Sequence, residues 1–344
     1  MPTLQGVYTA LLTPWDRELA IDRDRFDRLL DLQRAGGVGG VVVGGTTAES
    51  PTLSPEELEL LVVRARERLP GSMEVIAGTG RSDPRVTEAL TVRLADRGVT
   101  RFLIVDPAYN APSSAEIRRE SLEPLAGRHP ELEFVPYVIP GRTGTRLLPV
   151  DLELLHRRHP NIVAVKDACG DPTYSREVRR GLPPPFALLS GDDGRTLAMI
   201  RDPQIRADGV ISVVANLAPA TVVAAVAAAR DGDAAALARS GPTLEALGRT
   251  VTVVATEATP RGPVEVRVRN PVPTKAACDL LGAPVGPCRP PLGRLTPSAF
   301  VQLAGALAAI DAQDPEAFRQ LRRHLGAPAD GPGGPESRWS YGAY

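Results

Sequence analysis

Of the 40 basic residues in this 344-residue chain only two, Lys166 and Lys275, are lysine. Arginine stays protonated in a protein, whereas an ε-amine can lose its proton in an apolar pocket and attack a carbonyl carbon. A chain that uses arginine almost everywhere has kept an amine at two places. Lys166 suits a nucleophile, because it closes the apolar β-type run Ile162-Val163-Ala164-Val165. Desolvation there lowers an amine's pKa and raises its neutral fraction at neutral pH. The competing explanation is that both lysines are survivors of an arginine-rich composition. Lys275 follows Asn270-Pro271-Val272-Pro273 at a helix start and is expected to be structural.

These residues need elements to position them. Short β-type runs alternate with charged segments of helical period, and eight alternations can be counted. The strands are expected near 6–13, 38–44, 74–79, 101–106, 133–139, 162–167, 186–191 and 207–214. Helices such as 22–35, 55–69 and 85–97 lie between them. Ser54-Pro55-Glu56-Glu57 marks one helix start, with Ser as N-cap, Pro at the first helical position and Glu at the third. Eight strand-then-helix units imply parallel strands that close as an α/β (β/α)₈ TIM barrel. A doubly wound open sheet is the alternative, but no G-x-G-x-x-G or Walker A pattern follows a strand. The expected organisation is a barrel core over 1–217 closed by helix 218–232, then a C-terminal helical extension over 233–325. That extension includes helices near 233–256, 273–281, 297–309 and 315–325. A Gly/Pro-rich tail over 326–344, with Trp339, Tyr341 and Tyr344, is expected to be mobile.

Composition narrows the function. A formal net charge of -1 with interspersed signs argues against nucleic acid as a partner. No apolar run approaches the ~20 residues that span a bilayer, and the first residues lack the pattern of a signal peptide. Cys169, Cys278 and Cys288 are odd in number and lack metal-ligand spacing. A cytoplasmic location with reduced thiols is therefore expected. His156 and His159 could form a two-ligand metal pair, and Asp192-Asp193 could hold Mg²⁺, but neither has a surrounding ligand set. No metal and no cofactor is expected.

In a barrel of this kind, catalytic groups stand at the carboxyl ends of the strands. Those ends carry Gly45-Thr46-Thr47-Ala48-Glu49-Ser50, Ala108-Tyr109-Asn110-Ala111-Pro112, Tyr137-Val138-Ile139-Pro140-Gly141-Arg142-Thr143-Gly144, Lys166-Asp167-Ala168-Cys169-Gly170, Leu189-Ser190-Gly191-Asp192-Asp193 and Gly209-Val210-Ile211-Ser212-Val213. In order and spacing the set resembles the dihydrodipicolinate synthase and N-acetylneuraminate lyase family of pyruvate-dependent class I aldolases. The resemblance runs from about Gly6 to Thr296, and both lysines fall at family lysine positions.

The resemblance implies the following roles. Lys166 forms an iminium with pyruvate, and Tyr137 shuttles protons. Thr46 links Tyr137 to Tyr109, which enters from an adjacent subunit of a homodimer or homotetramer. Thr47 holds the pyruvate carboxylate, Gly191 and Ile211 line the site, and Asp192-Asp193 are structural. Arg142 matches the arginine that grips the carboxylate of an aldehyde acid, the second small-molecule substrate, so a 4-hydroxy-tetrahydrodipicolinate synthase-like condensation is expected. Ala48, Ala108 and Val138 depart from the family pattern, and Pro136 lies inside a strand, so the pocket wall differs. Cleavage or dehydration of a 2-keto-3-deoxy sugar acid is the alternative within the class. A metal-dependent class II aldolase or hydratase would lose activity to chelators, and a silent paralogue would serve as a binding subunit.

Overall fold

The computed structural model describes residues 3–326 and 334–342. Eight parallel strands close a barrel in sequence order: β1 (Gly6–Ala10), β2 (Gly40–Val43), β3 (Glu74–Gly78), β4 (Arg101–Val105), β5 (Glu133–Val138), β6 (Ala164–Asp167), β7 (Ala187–Ser190) and β8 (Gly209–Ser212), with β1 pairing β8. Each strand is shorter than or equal to the run expected from sequence. The apolar runs continue past the strand ends into the loops, where ladder pairing stops before hydrophobicity does. The fold is a (β/α)₈ barrel with further elements at its C-terminal end.

Strand alternation divides the apolar residues into two layers. Tyr8, Val42, Ile76, Leu103, Val135, Leu189 and Ile211 fill the barrel interior. Residues such as Val41, Phe102, Phe134, Val165 and Val210 face the surrounding helices. The helix start read from Ser54 is realised in full. Ser54 accepts from the Glu57 backbone N–H, Glu57 accepts in return from Ser54 N–H at 3.0 Å, and Pro55 opens the helix Pro55–Arg68. Pro136 sits within β5 opposite Ile104 and brings no N–H to the ladder.

Two expectations for the C-terminal part need correcting. The single helix expected over 233–256 stops at Gly248 (helix Ala234–Gly248). The chain then forms an antiparallel hairpin of β9 (Thr252–Thr259) and β10 (Gly262–Arg269). Alanine and glutamate in 252–258 read as helical, but Val253, Ala255, Val266 and Val268 share one face of a two-stranded sheet. That face packs on helix Pro297–Gln313, where Glu257 accepts from Ser298 N–H at 2.9 Å and from its hydroxyl at 3.1 Å. Period two is satisfied by this packing, and period 3.6 would not be.

Within the tail expected to be mobile, residues 335–342 are docked, while 327–333 lie outside the described residues. Pro335–Trp339 is a short helix, and Trp339 is buried with its indole N–H on Asp279 at 2.9 Å. Ser340 bridges Leu295. Tyr341 is half exposed, and Tyr344 lies outside the described residues.

Candidate active site

β5 and β6 run side by side with Tyr137 level with Lys166. Both side chains therefore point into the barrel at the same height, near the carboxyl end. The Lys166 amine lies 4.1 Å from the centre of the Tyr137 ring. Lys166 is buried, and burial pushes its amine down from 10.5 to about 7; the Arg142 charge adds to the fall and Asp193 opposes it. Asp193 is held in place by the Ser212 hydroxyl and by the backbone N–H groups of Val213 at 2.8 Å and Val214 at 3.2 Å.

Burial pushes the Tyr137 phenol up to about 12, while the Arg142 charge and a hydrogen bond with Thr46 pull the other way. The resting phenol is thus protonated. Thr46 and Thr47 stand on a single 3₁₀ turn, Thr46–Ala48, that follows β2. Gly44 turns the chain into it at φ +77°, and a Cβ there would lie 2.3 Å from Leu58 Cδ1. Thr47 is buried, and its hydroxyl oxygen accepts from the Asn270 amide at 2.9 Å. The hydroxyl proton of Thr47 is left to donate.

The turn is braced from below. Glu49, at φ 61°, accepts from the Trp15 indole at 2.8 Å and from Arg289 N–H at 2.7 Å, and its carboxylate pairs with the fully buried Lys275 amine at 2.6 Å. The Lys275 amine also donates to the Pro287 carbonyl at 2.7 Å. The second lysine is therefore structural, as its position suggests.

Lys166, Tyr137 and the Thr46–Thr47 turn open into one cavity of about 370 Å³. At roughly 30 Å³ per water, that admits a three-carbon keto acid together with a second small substrate. Thr46, Thr47, Tyr137, Arg142, Lys166 and Gly191 all line it. Gly191 is required by space: a Cβ there would lie 2.8 Å from Ala168 Cβ and 3.1 Å from Lys166 Cε. Arg142 donates to the Asn270 carbonyl at 2.9 Å, and its guanidinium is held below its ordinary value by enclosure and by the charge of Arg269.

Two expected residues do not line the cavity. Ile211 is wholly buried in the barrel interior. Tyr109, at φ 77°, is 95 % exposed and does not line the cavity. Sequence reasoning also missed Asn270, Arg249, Arg267 and Arg269, which do line it. Asn270-Pro271 was noticed only as the approach to Lys275. The Pro260-Arg261-Gly262 turn between two β-branched runs was the available signal for the hairpin. His156 Nδ1 lies 2.8 Å from the Ile162 carbonyl oxygen, and neither His156 nor His159 lines the cavity. A separate cavity of about 410 Å³, among Trp15, Arg17, Cys288, Arg294 and Trp339, contains neither lysine.

Comparison with known proteins gives the family. The model of the Dihydrodipicolinate synthetase family matches residues 3–310. The chain belongs to that family. As a dihydrodipicolinate synthetase family member it is a lyase. It is 36% identical over 313 residues to the 4-hydroxy-tetrahydrodipicolinate synthase of Sorangium cellulosum, a match covering 90% of this chain and 97% of the relative. The corresponding protein of Methanoculleus marisnigri is 35% identical over 306 residues, covering 88% and 98%. Among solved structures, the 4-hydroxy-tetrahydrodipicolinate synthase of Methylacidiphilum fumariolicum superposes with a TM-score of 0.81 at 31% identity, covering 94% of this chain and all of that one.

Proposed function

We propose that this family member condenses pyruvate with an aldehyde acid through a Schiff base on Lys166, as a 4-hydroxy-tetrahydrodipicolinate synthase-like enzyme. The observation that carries the reading is the buried Lys166 amine, poised near pH 7 beside Tyr137 at the end of β6. The neutral amine adds to the ketone carbon of pyruvate, and the carbinolamine loses water to give an iminium. Tyr137, protonated at rest, donates the proton that lets hydroxide leave as water. The iminium's positive charge then stabilises the phenolate, which removes a methyl proton to form the enamine. The enamine carbon attacks the aldehyde, and its oxygen takes up a proton. Water, or an amine of the second substrate, displaces the product from Lys166.

Thr47 and the N–H groups of its turn are suited to hold the pyruvate carboxylate, since the Thr47 hydroxyl proton is free of the Asn270 contact. Arg142 presents its guanidinium fork to the carboxylate of the aldehyde acid. Tyr109 completes the relay through Thr46 from a second copy of the chain, in a homodimer or homotetramer. Its near-total exposure leaves it available for that contact. Reduced thiols at Cys169, Cys278 and Cys288 favour a cytoplasmic setting, and among the described residues no helix is long and apolar enough to cross a membrane.

Borohydride added with pyruvate tests the reading. It should fix a reduced pyruvyl group on Lys166, seen as a mass increase on the peptide containing that residue, and inactivate the enzyme. Labelling at Lys275 instead, or no labelling, would sink the mechanism.

A further inference from the structure

A threonine hydroxyl can accept through its oxygen and donate through its proton, and the proton turns to whatever acceptor is in reach. For Thr47 to hold a pyruvate carboxylate, that proton has to be offered to the cavity. Among the described residues the Thr47 hydroxyl has one hydrogen-bond partner, the side-chain amide of Asn270, which donates to it at 2.9 Å. An amide N–H only donates, so it occupies the hydroxyl's oxygen and gives its proton no acceptor. Thr47 and Asn270 are both buried, and both line the Lys166 cavity.

The other polar groups of Asn270 fix the aim of that amide. Its side-chain oxygen accepts from the Thr274 hydroxyl at 2.9 Å, which leaves the NH₂ end to face Thr47. Its backbone N–H donates to the Val251 carbonyl at 2.9 Å, and its own carbonyl accepts from Arg142 at 2.9 Å. Asn270 lies between the end of β10 and helix Val272–Leu280, and it is tied at once to the segment before β9, to the Arg142 loop and to the turn after β2. Lys275 on the same helix pairs with Glu49 at the end of that turn. The ion pair holds the turn's place, and the amide sets the direction of its hydroxyl.

We infer that Asn270 is a positioning residue for pyruvate, acting through Thr47: its amide donates to the Thr47 oxygen and so commits the hydroxyl proton to the substrate carboxylate. The inference rests on the proposed pyruvate lyase reading and adds to it a residue from the C-terminal extension.

Two substitutions separate this role from a merely structural one. Asn270→Asp keeps the size of the side chain and an acceptor for Thr274, but the atom facing Thr47 becomes an acceptor that takes the hydroxyl proton and sets a negative charge near the pyruvate carboxylate. Asn270→Ala frees the hydroxyl without redirecting it. Borohydride trapping on Lys166 is followed by peptide mass in the full-length enzyme over a range of pyruvate concentrations. A pH well above the Lys166 midpoint keeps changes in amine protonation out of the comparison. The half-saturating pyruvate concentration should rise about threefold to tenfold in Asn270→Ala. In Asn270→Asp it should rise about tenfold or more beyond that. The loss should fall on this concentration more than on the plateau. In a Thr47→Val background, Asn270→Ala should add no further loss, because the group it acts through is already gone.

Asn270→Asp proving as mild as Asn270→Ala or milder, the order expected if shape alone matters, would overturn the inference. So would an Asn270→Ala loss that is as large beside Val at position 47 as beside Thr. If the parent enzyme shows no trapping on Lys166 at any pyruvate concentration, the lyase reading falls instead, and the inference with it.

Discussion

Lys166 and Tyr137 face each other across one strand pair, and burial treats them oppositely. The amine is driven towards its neutral, nucleophilic form and the phenol is kept in its neutral, donating form. Both are thus ready for carbinolamine formation before any substrate arrives. Tyr137→Phe should slow turnover by the ~10²–10⁴ typical of a general acid–base group, with unchanged circular dichroism; near-normal turnover would place the shuttle elsewhere. The amine attacks only when unprotonated, so the rate of pyruvate trapping should rise with pH through about 7 and level off above it. Arg142 contributes to holding that value down. Arg142→Ala should therefore move the midpoint upward, and a midpoint that stays still or falls would show that the guanidinium does not act on the amine.

At the scale of elements, the 3₁₀ turn after β2 is held by a charge pair with one member, Glu49, at its end and the other, Lys275, far away in sequence. Lys275, on helix Val272–Leu280, and Glu49 form a fully buried pair, with Trp15, Arg289 and Pro287 satisfying the remaining groups. Removing one member of such a pair leaves the other charge uncompensated in a low dielectric, at a cost of about 3–5 kcal/mol. Lys275→Met should lower the thermal midpoint accordingly and weaken pyruvate binding, because Thr46 and Thr47 sit on the turn that Glu49 ends. Pyruvate trapping should still label Lys166 in that variant, measured below its melting range. A variant as stable as the parent would mean that the pair carries no net stabilisation.

At the scale of the whole molecule, the exposed Tyr109 sets the expectation for assembly. Closed two-fold dimers are the commonest assembly of soluble chains, and in one of them each barrel can lend a tyrosine to the other. Mixing Lys166→Ala with Tyr109→Phe, each inactive or nearly so alone, under conditions of subunit exchange should restore activity. One site in the mixed dimer then has both Lys166 and a partner's Tyr109. A mixture that stays inactive after proven exchange, or an active monomer in sedimentation, would refute the shared relay.

The sequence by itself determined whatever depends on period and neighbours. Eight alternations of strand and helix favoured the barrel over an open sheet, Ser54 to Glu57 marked a helix start, and a lysine ending an apolar strand pointed to desolvation. Thr46, Thr47, Tyr137, Arg142 and Gly191 stand at or just beyond strand ends, and the resemblance to the family, rather than their spacing, singled them out. The tertiary structure alone decided which distant segments meet. Asn270 reaches Thr47 across 223 residues, Glu49 meets Lys275 in the dry interior, and Trp339 finds Asp279. It also decided the face each residue presents: Ile211 points into the barrel core rather than the cavity, and 252–269 folds as a hairpin because helix Pro297–Gln313 offers its alternate valines a surface. Local propensity in that segment was balanced between helix and strand, so the burial available to each form chose between them, and that choice carried Arg267 and Arg269 to the site.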